Sequence, residues 1–382
     1  MIDALAHFEV RPDSPALSER QSSMSEAQLT EAAVREVLNG VRDPEIGRGL
    51  VELKMIDSVA LPGPQAVRVQ VALPTHAYPG RERIAGAIQQ ALAARFPGAQ
   101  AETAFVVRTQ GKDSGGGLGL RAKNVVAVGS GKGGVGKSTV AASLAFGLQT
   151  YGAKVGLMDA DVYGPSIPHM LGAHGQPQVV EQQTAAGQPV RRILPIECSG
   201  LKVMSMGFFV PADEAVVWRG PMLHGAITQF LRDTDWGELD YLIIDLPPGT
   251  GDVSLTLSQL LGLAGAVVVC TPQQVALLDA VKAVAMFRKV KIPVLGMVEN
   301  MTGEIFGRGG VQKKAGELGV PFLGEIPIDS QLRINGDEGK LADNFAESNP
   351  SRPYLQHVCE QTAMQIAKQL LSEPRMPTLE IL

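Results

Sequence analysis

One stretch constrains this chain more than any other: Gly131-Lys132-Gly133-Gly134-Val135-Gly136-Lys137-Ser138-Thr139. It follows an apolar run from Asn124 to Val128 and opens a helical segment that extends to about Tyr151. Glycines spaced ahead of Lys-Ser, set between a strand and a helix, are the pattern of a loop that cradles phosphate. Glycine lets successive backbone N–H groups curl inward onto phosphate oxygens, where a Cβ would obstruct them. The helix N-terminus adds its positive dipole end. In that geometry Lys137 reaches the β- and γ-phosphates and the Ser138 hydroxyl takes a place on Mg²⁺.

The surrounding pattern agrees. Apolar runs of strand length recur at Val125–Val128, Val155–Met158, Tyr241–Ile244, Ala266–Val269 and Val294–Val298, several of them separated by helical segments. Continuous apolar strands alternating with helices predict an α/β fold: a parallel sheet covered by helices on both faces, as in P-loop NTPases. The segment 176–225, rich in Pro and Gly, is expected to lie partly outside that sheet. Ahead of it, residues 25–109 predict a small α+β unit. Ser25 and Gln28 form a capping-box pattern, a hairpin whose first arm carries Val51, Leu53 and Ile56 turns at Pro62-Gly63-Pro64, and Ile84, Ile88 and Leu92 share one helical stripe. Gly111 to Gly119 holds five glycines in nine residues and places a linker at 110–123. Residues 1–24 read as a leader, 124–372 as the phosphate-binding domain and 373–382 as a tail.

Three acids fall where a Mg²⁺–phosphate site needs them. Asp159 and Asp161, at the end of one apolar strand, point the same way on an extended chain. They could hold Mg²⁺ through water and orient an attacking water, or be solvated turn acids. Asp245 ends another apolar strand, in the position of a Mg²⁺-associated acid, and is followed by the rigid turn Pro247-Pro248-Gly249-Thr250-Gly251. Asn300 ends a later strand, where its amide could pair with a base edge. Lys132 is not needed to cradle phosphate within its own chain. Across a face-to-face pair of protomers it would act as a cationic finger on the partner's phosphates.

Taken in order, GKGGVGKST, DADVYGPSIP (Asp159–Pro168), VWRGPM (Val217–Met222), DLPPGTGD (Asp245–Asp252), TPQ, ALLDA and VENM resemble the Mrp/ApbC family. These are P-loop ATPases of the deviant Walker A class described as iron–sulfur cluster carriers. Asp43-Pro44-Glu45 resembles the Fe–S assembly domain often fused ahead of them. The resemblance implies an ATP-bridged homodimer with Lys132 acting across it. It implies phosphate and Mg²⁺ held by Lys137, Ser138 and Thr139, Asp161 orienting water, and Fe–S assembly proteins or client apoproteins as partners. The chain departs from the family at the cluster site. Thr302-Gly303-Glu304 stands where a Cys-Pro-x-Cys element is usual, and Ala77-Tyr78-Pro79 lacks the small domain's usual cysteine.

The three cysteines, at 198, 270 and 359, form no ligand pair and no disulfide framework. The six histidines are expected to be structural. A net charge of −5 gives no bulk attraction to nucleic acid or an anionic membrane, and the longest apolar stretch is half a bilayer span. Together with the absence of a secretory signal pattern, this leaves a cytoplasmic protein as the expectation. The expected function is an ATP-hydrolysing iron–sulfur cluster carrier or assembly factor. The alternatives are a spatial-organising ATPase of the MinD/ParA kind, or a nucleotide-gated scaffold with negligible turnover.

Overall fold

The computed structural model describes residues 28–111, 118–162, 164–183, 187–209, 220–249 and 251–372. The leader, the tail, most of the glycine linker, Tyr163, Val217–Arg219 and Thr250 lie outside them. The strands are β1 Ile56–Gly63, β2 Ala66–Leu73, β3 Gln100–Val107, β4 Arg121–Ser130, β5 Val155–Asp159, β6 Val179–Gln183, β7 Pro189–Ile193, β8 Ile196–Cys198, β9 Leu201–Ser205, β10 Glu238–Asp245, β11 Gly265–Cys270, β12 Val294–Thr302 and β13 Phe322–Pro327. The helices are α1 Glu31–Leu38, α2 Arg81–Arg95, α3 Lys137–Thr150, α4 Ile167–Leu171, α5 Gly220–Asp233, α6 Asp252–Leu260, α7 Gln274–Lys289, α8 Gly310–Leu318, α9 Ser330–Asp337 and α10 Arg352–Ser372.

Eight strands form the central sheet in the order β13-β12-β11-β4-β10-β5-β9-β8, parallel throughout except for β8 against β9. Both faces are buried along the middle of the sheet, as the continuous apolar runs Val125–Val128 in β4, Tyr241–Ile244 in β10 and Ala266–Cys270 in β11 require. One face packs Val125, Leu242 and Val268 with Phe287 of α7, and the other packs Val126, Ile243 and Val267 with α3 and α10. The 176–225 segment divides as expected. β6 and β7 make a separate hairpin, while β9 joins the main sheet beside β5.

The small unit is a three-stranded sheet, β1 antiparallel to β2 and β2 parallel to β3, backed by α1 and α2. Its core joins Val69, Val71, Ile84, Ile88 and Leu92 to Met364 and Ala367 of α10. The last helix therefore serves both cores. Two boundaries differ from the sequence reading. α1 starts at Glu31, because Thr30 caps it by accepting from the Ala33 N–H at 3.2 Å; Ser25 lies outside the described residues. The hairpin's first arm starts at Ile56 rather than Val51, since the chain turns at Lys54 (φ 57°) to bury Leu53 and Met55. Among the described residues, no helix is long and apolar enough to cross a membrane.

Candidate nucleotide-binding site

β4 lies between β10 and β11, and α3 starts at the C-terminal end of β4, in the crevice where open α/β sheets take ligands. Strand register builds the acidic side of the site. Asp245 is paired with Val128 on one side and with Asp159 on the other, and Asp159 is paired with Ser205 of β9. Residues from Val128 to Asp245 thus become one row at one end of the sheet.

The loop itself is shaped by close packing. A Cβ at Gly131 would stand 2.2 Å from the Asp279 backbone in α7, so only glycine lets the loop rest on that helix. Gly134 and Gly136 both have left-handed φ (77° and 79°), and a Cβ at Gly134 would meet nothing. Gly133 and Gly134 are exposed, leaving the inner curve of the loop open.

Lys137 is buried, and its Nζ lies 2.7 Å from Asp245 Oδ1, 3.5 Å from Asp161 Oδ2 and 3.2 Å from Ser138 Oγ. Asp161 and Asp245 are not solvated turn acids, being 8% and 0% exposed. One oxygen of each, Asp161 Oδ1 and Asp245 Oδ2, is buried with no hydrogen-bond partner. Buried acceptors are nearly always satisfied, so two orphan oxygens beside a lysine and a serine hydroxyl mark a place for further donors or a cation. Burial pushes the Asp245 carboxyl above the usual range, opposed by Lys137. A divalent cation there would reverse that shift.

Two of the expected site residues also make bonds within the chain. Asp159 has both oxygens occupied by the chain: Oδ1 accepts from the Asp161 N–H at 3.1 Å, and Oδ2 from the Ile167 N–H at 3.3 Å and Ser205 Oγ at 3.0 Å. These bonds tie Asp159 to the 161–167 turn, beside Asp161. Its carboxyl is raised, first by burial and then by the charge of Asp245. Asn300 donates from Nδ2 to the Val135 carbonyl at 2.9 Å, and its amide fills the space a Cβ at Gly136 would need. That bond uses one of the two amide N–H donors, and the amide oxygen is not part of it. Lys132 makes no ion pair among the described residues, while its carbonyl accepts from Ser130 Oγ at 2.8 Å.

A cavity of about 470 Å³ adjoins the loop, within the range of small-molecule sites. It is lined by Thr139, Met170, Asn300, Phe306, Ile328 and Arg333 among others. No local motif announced it, because its walls come from α3, α4, α9 and the ends of β12 and β13.

The thiols lie apart. Cys198 donates to the Leu171 carbonyl at 3.1 Å, Cys270 is buried with its thiol pushed up to about 12, and Cys359 packs against Gly147. Burial is the first cause of the Cys270 shift and also raises the Cys359 thiol. Deeply buried neutral thiols on separate elements do not make a cluster ligand set. His224 meets Thr256 Oγ1 at 3.0 Å, and His76 joins the small unit to the large one.

The fold and this site define a P-loop NTPase. Residues 121–364 match the model of the NUBPL iron-transfer P-loop NTPases, and residues 31–106 match that of an iron–sulfur cluster assembly protein. The chain belongs to this family of iron-transfer P-loop NTPases. It is 48% identical to the iron–sulfur cluster carrier protein of Deinococcus radiodurans over 89% of this chain and 97% of that protein. It is 45% identical to the protein of that name from Synechocystis, over 81% of this chain and 90% of the other. Among solved structures it is similar to an Archaeoglobus fulgidus nucleotide-binding protein in complex with ADP. That likeness has 39% identity and a TM-score of 0.50, over 61% of this chain and 91% of that one.

Proposed function

We propose that this chain binds Mg²⁺-ATP, hydrolyses it, and uses the cycle to pass iron–sulfur clusters toward apoproteins. The observation that carries the nucleotide reading is the pair of orphan carboxylate oxygens on Asp161 and Asp245, buried beside Lys137 and Ser138 at an open phosphate loop. The triphosphate lies along the 131–139 backbone, with Lys137 on the β- and γ-phosphates and Thr139 at the turn toward the cavity, which takes the nucleoside. Ser138 and Asp245 hold Mg²⁺, which when bound draws charge from the phosphate oxygens. Asp161, steadied by Asp159, accepts a hydrogen bond from the attacking water and orients it. Lys132 completes the site of a second copy in a nucleotide-bridged homodimer.

The cluster is cargo in this reading, and the Fe–S context comes from the printed names of the relatives. With Cys198, Cys270 and Cys359 separated and two of them deeply buried, we assign the chain the part of an ATP-driven assembly factor whose cluster ligands come from its partners. Two measurements test this. Titration calorimetry with Mg²⁺ and a non-cleavable ATP analogue should show saturable binding, and its absence would refute the nucleotide site. Anaerobic reconstitution with iron and sulfide should give no cysteine-dependent charge-transfer bands. Bands lost on replacing all three cysteines by serine would overturn the assignment of the cluster to partners.

A further inference from the structure

Consecutive residues near the C-terminal end of β12 grip opposite sides. Asn300 holds the Val135 carbonyl of the phosphate loop, while Glu299, fully buried, accepts from the Gly309 N–H at 2.6 Å and the Val311 N–H at 2.5 Å. Neighbouring side chains on a strand alternate in direction, so this double grip follows from the strand itself. Between the grips the backbone makes a tight loop. Met301 sits at φ 59°, a conformation that costs a non-glycine residue roughly 1 kcal/mol. Gly303 and Gly307 then exchange two hydrogen bonds of 3.0 and 2.8 Å. At the tip, adjacent side chains part company: Phe306 is half-buried and lines the 470 Å³ cavity beside Thr139 and Asn300, whereas Ile305 is 80% exposed.

Resting on the nucleotide reading above, we propose that Phe306 packs against the nucleoside of the bound nucleotide, and that the Gly303–Gly307 loop reports nucleoside occupancy to the surface at Ile305. An aromatic ring walling a cavity next to a phosphate loop offers a π-face to a base, and stacking of that kind tolerates any base. The loop is clamped at both ends, so a shift of Phe306 has its outlet at the tip. Asn300 is the positioning residue, tying the loop's root to the phosphate cradle.

The test separates nucleoside from phosphate. The full chain is titrated in Mg²⁺ with adenylyl imidodiphosphate and, separately, with inorganic tripolyphosphate. Phe306→Ala should weaken the nucleotide about tenfold and leave tripolyphosphate within about twofold of wild type. Phe306→Tyr should restore nucleotide affinity and guards against a folding defect. Hydrogen exchange at 303–309 should slow with the nucleotide and not with tripolyphosphate in wild type, and Ile305→Ser should leave both affinities unchanged. Equal weakening of the two ligands by Phe306→Ala, no weakening of either, or equal protection by both would overturn the proposal. Failure of both ligands to bind wild type would instead bring down the phosphate site itself, and this proposal with it.

Discussion

Two buried aspartates, one in the small unit and one in the large, show how architecture differs from a site. Asp43 in the small unit is inaccessible and fully satisfied: Oδ1 accepts from the Glu45 and Ile46 N–H groups at 2.9 and 2.8 Å, and Oδ2 from the Tyr78 hydroxyl at 2.8 Å. Asp245 in the large unit is equally inaccessible, yet one of its oxygens has no partner. Both oxygens of Asp43 have partners within the chain, while one oxygen of Asp245 leaves room for a further donor or a cation. By this measure the Asp-Pro-Glu segment, with Tyr78 bonded to Asp43, is a folded lock. The chemistry gathers at the end of β10.

The contrast can be broken in several ways. The largest expected effect is from Lys137→Ala, which strips the counter-charge from Asp245 and Asp161. Truncating one partner of a buried charge pair in a complex costs about 2–5 kcal/mol, so calorimetry should show Mg²⁺-ATP-analogue affinity down roughly thirty- to several-thousandfold. Wild-type affinity in that variant would erase the distinction between the two aspartates. Next, Asp161→Asn should cut steady-state phosphate release by about 10²–10⁴-fold. Its affinity for the analogue should stay within roughly threefold of wild type, because the lost contact belongs to the transition state.

On the architectural side, Asp43→Ala should destabilise the small unit by about 1–3 kcal/mol, and Tyr78→Phe by about 1 kcal/mol, in denaturant melts. Neither should alter phosphate release. A change in turnover at unaltered stability would make Asp43 functional after all.

The smallest effect concerns how the two units are joined. His76 Nε2 lies 3.2 Å from Asp240 Oδ2 and its Nδ1 3.1 Å from the Tyr151 carbonyl, at the far end of the helix that starts at Lys137. Burial raises the Asp240 carboxyl, but bonds from His76, Lys123 and the Lys154 N–H outweigh it and hold the group below the usual carboxylate range. A depressed carboxylate contributes stability above its unfolded pKa of about 3.9 and loses it as pH falls further. Thermal melts of wild type and Asp240→Asn should therefore differ by a constant amount near pH 6 and converge below about pH 4. A gap that persists at acid pH would show that the join does not depend on this charge.

Much of this was legible in residue order. GKGGVGKS specified the loop because its requirement is local: backbone curl, then a lysine and a hydroxyl at the mouth of a helix. The runs ending at Met158, Ile244 and Val298 each became a strand of the parallel sheet because continuous apolarity leaves little alternative to burial on both faces. The bonds that Asp159 and Asn300 make within the chain were not legible. Each was read by its position at a strand end, and each also holds another part of the chain. Ser205, which bonds Asp159, stands 46 residues from it and carries no motif at all.

What the sequence determined alone is therefore whatever depends on spacing within one turn or one strand: the phosphate cradle, the helical stripes and the apolar runs. Only the tertiary structure decided that β4 lies between β10 and β11 and that Asp245 stands beside Asp159. It likewise decided that Phe306 meets Thr139 across one cavity. Those neighbours are chosen by which faces can be buried together over the whole sheet, and no short window of residues contains that information.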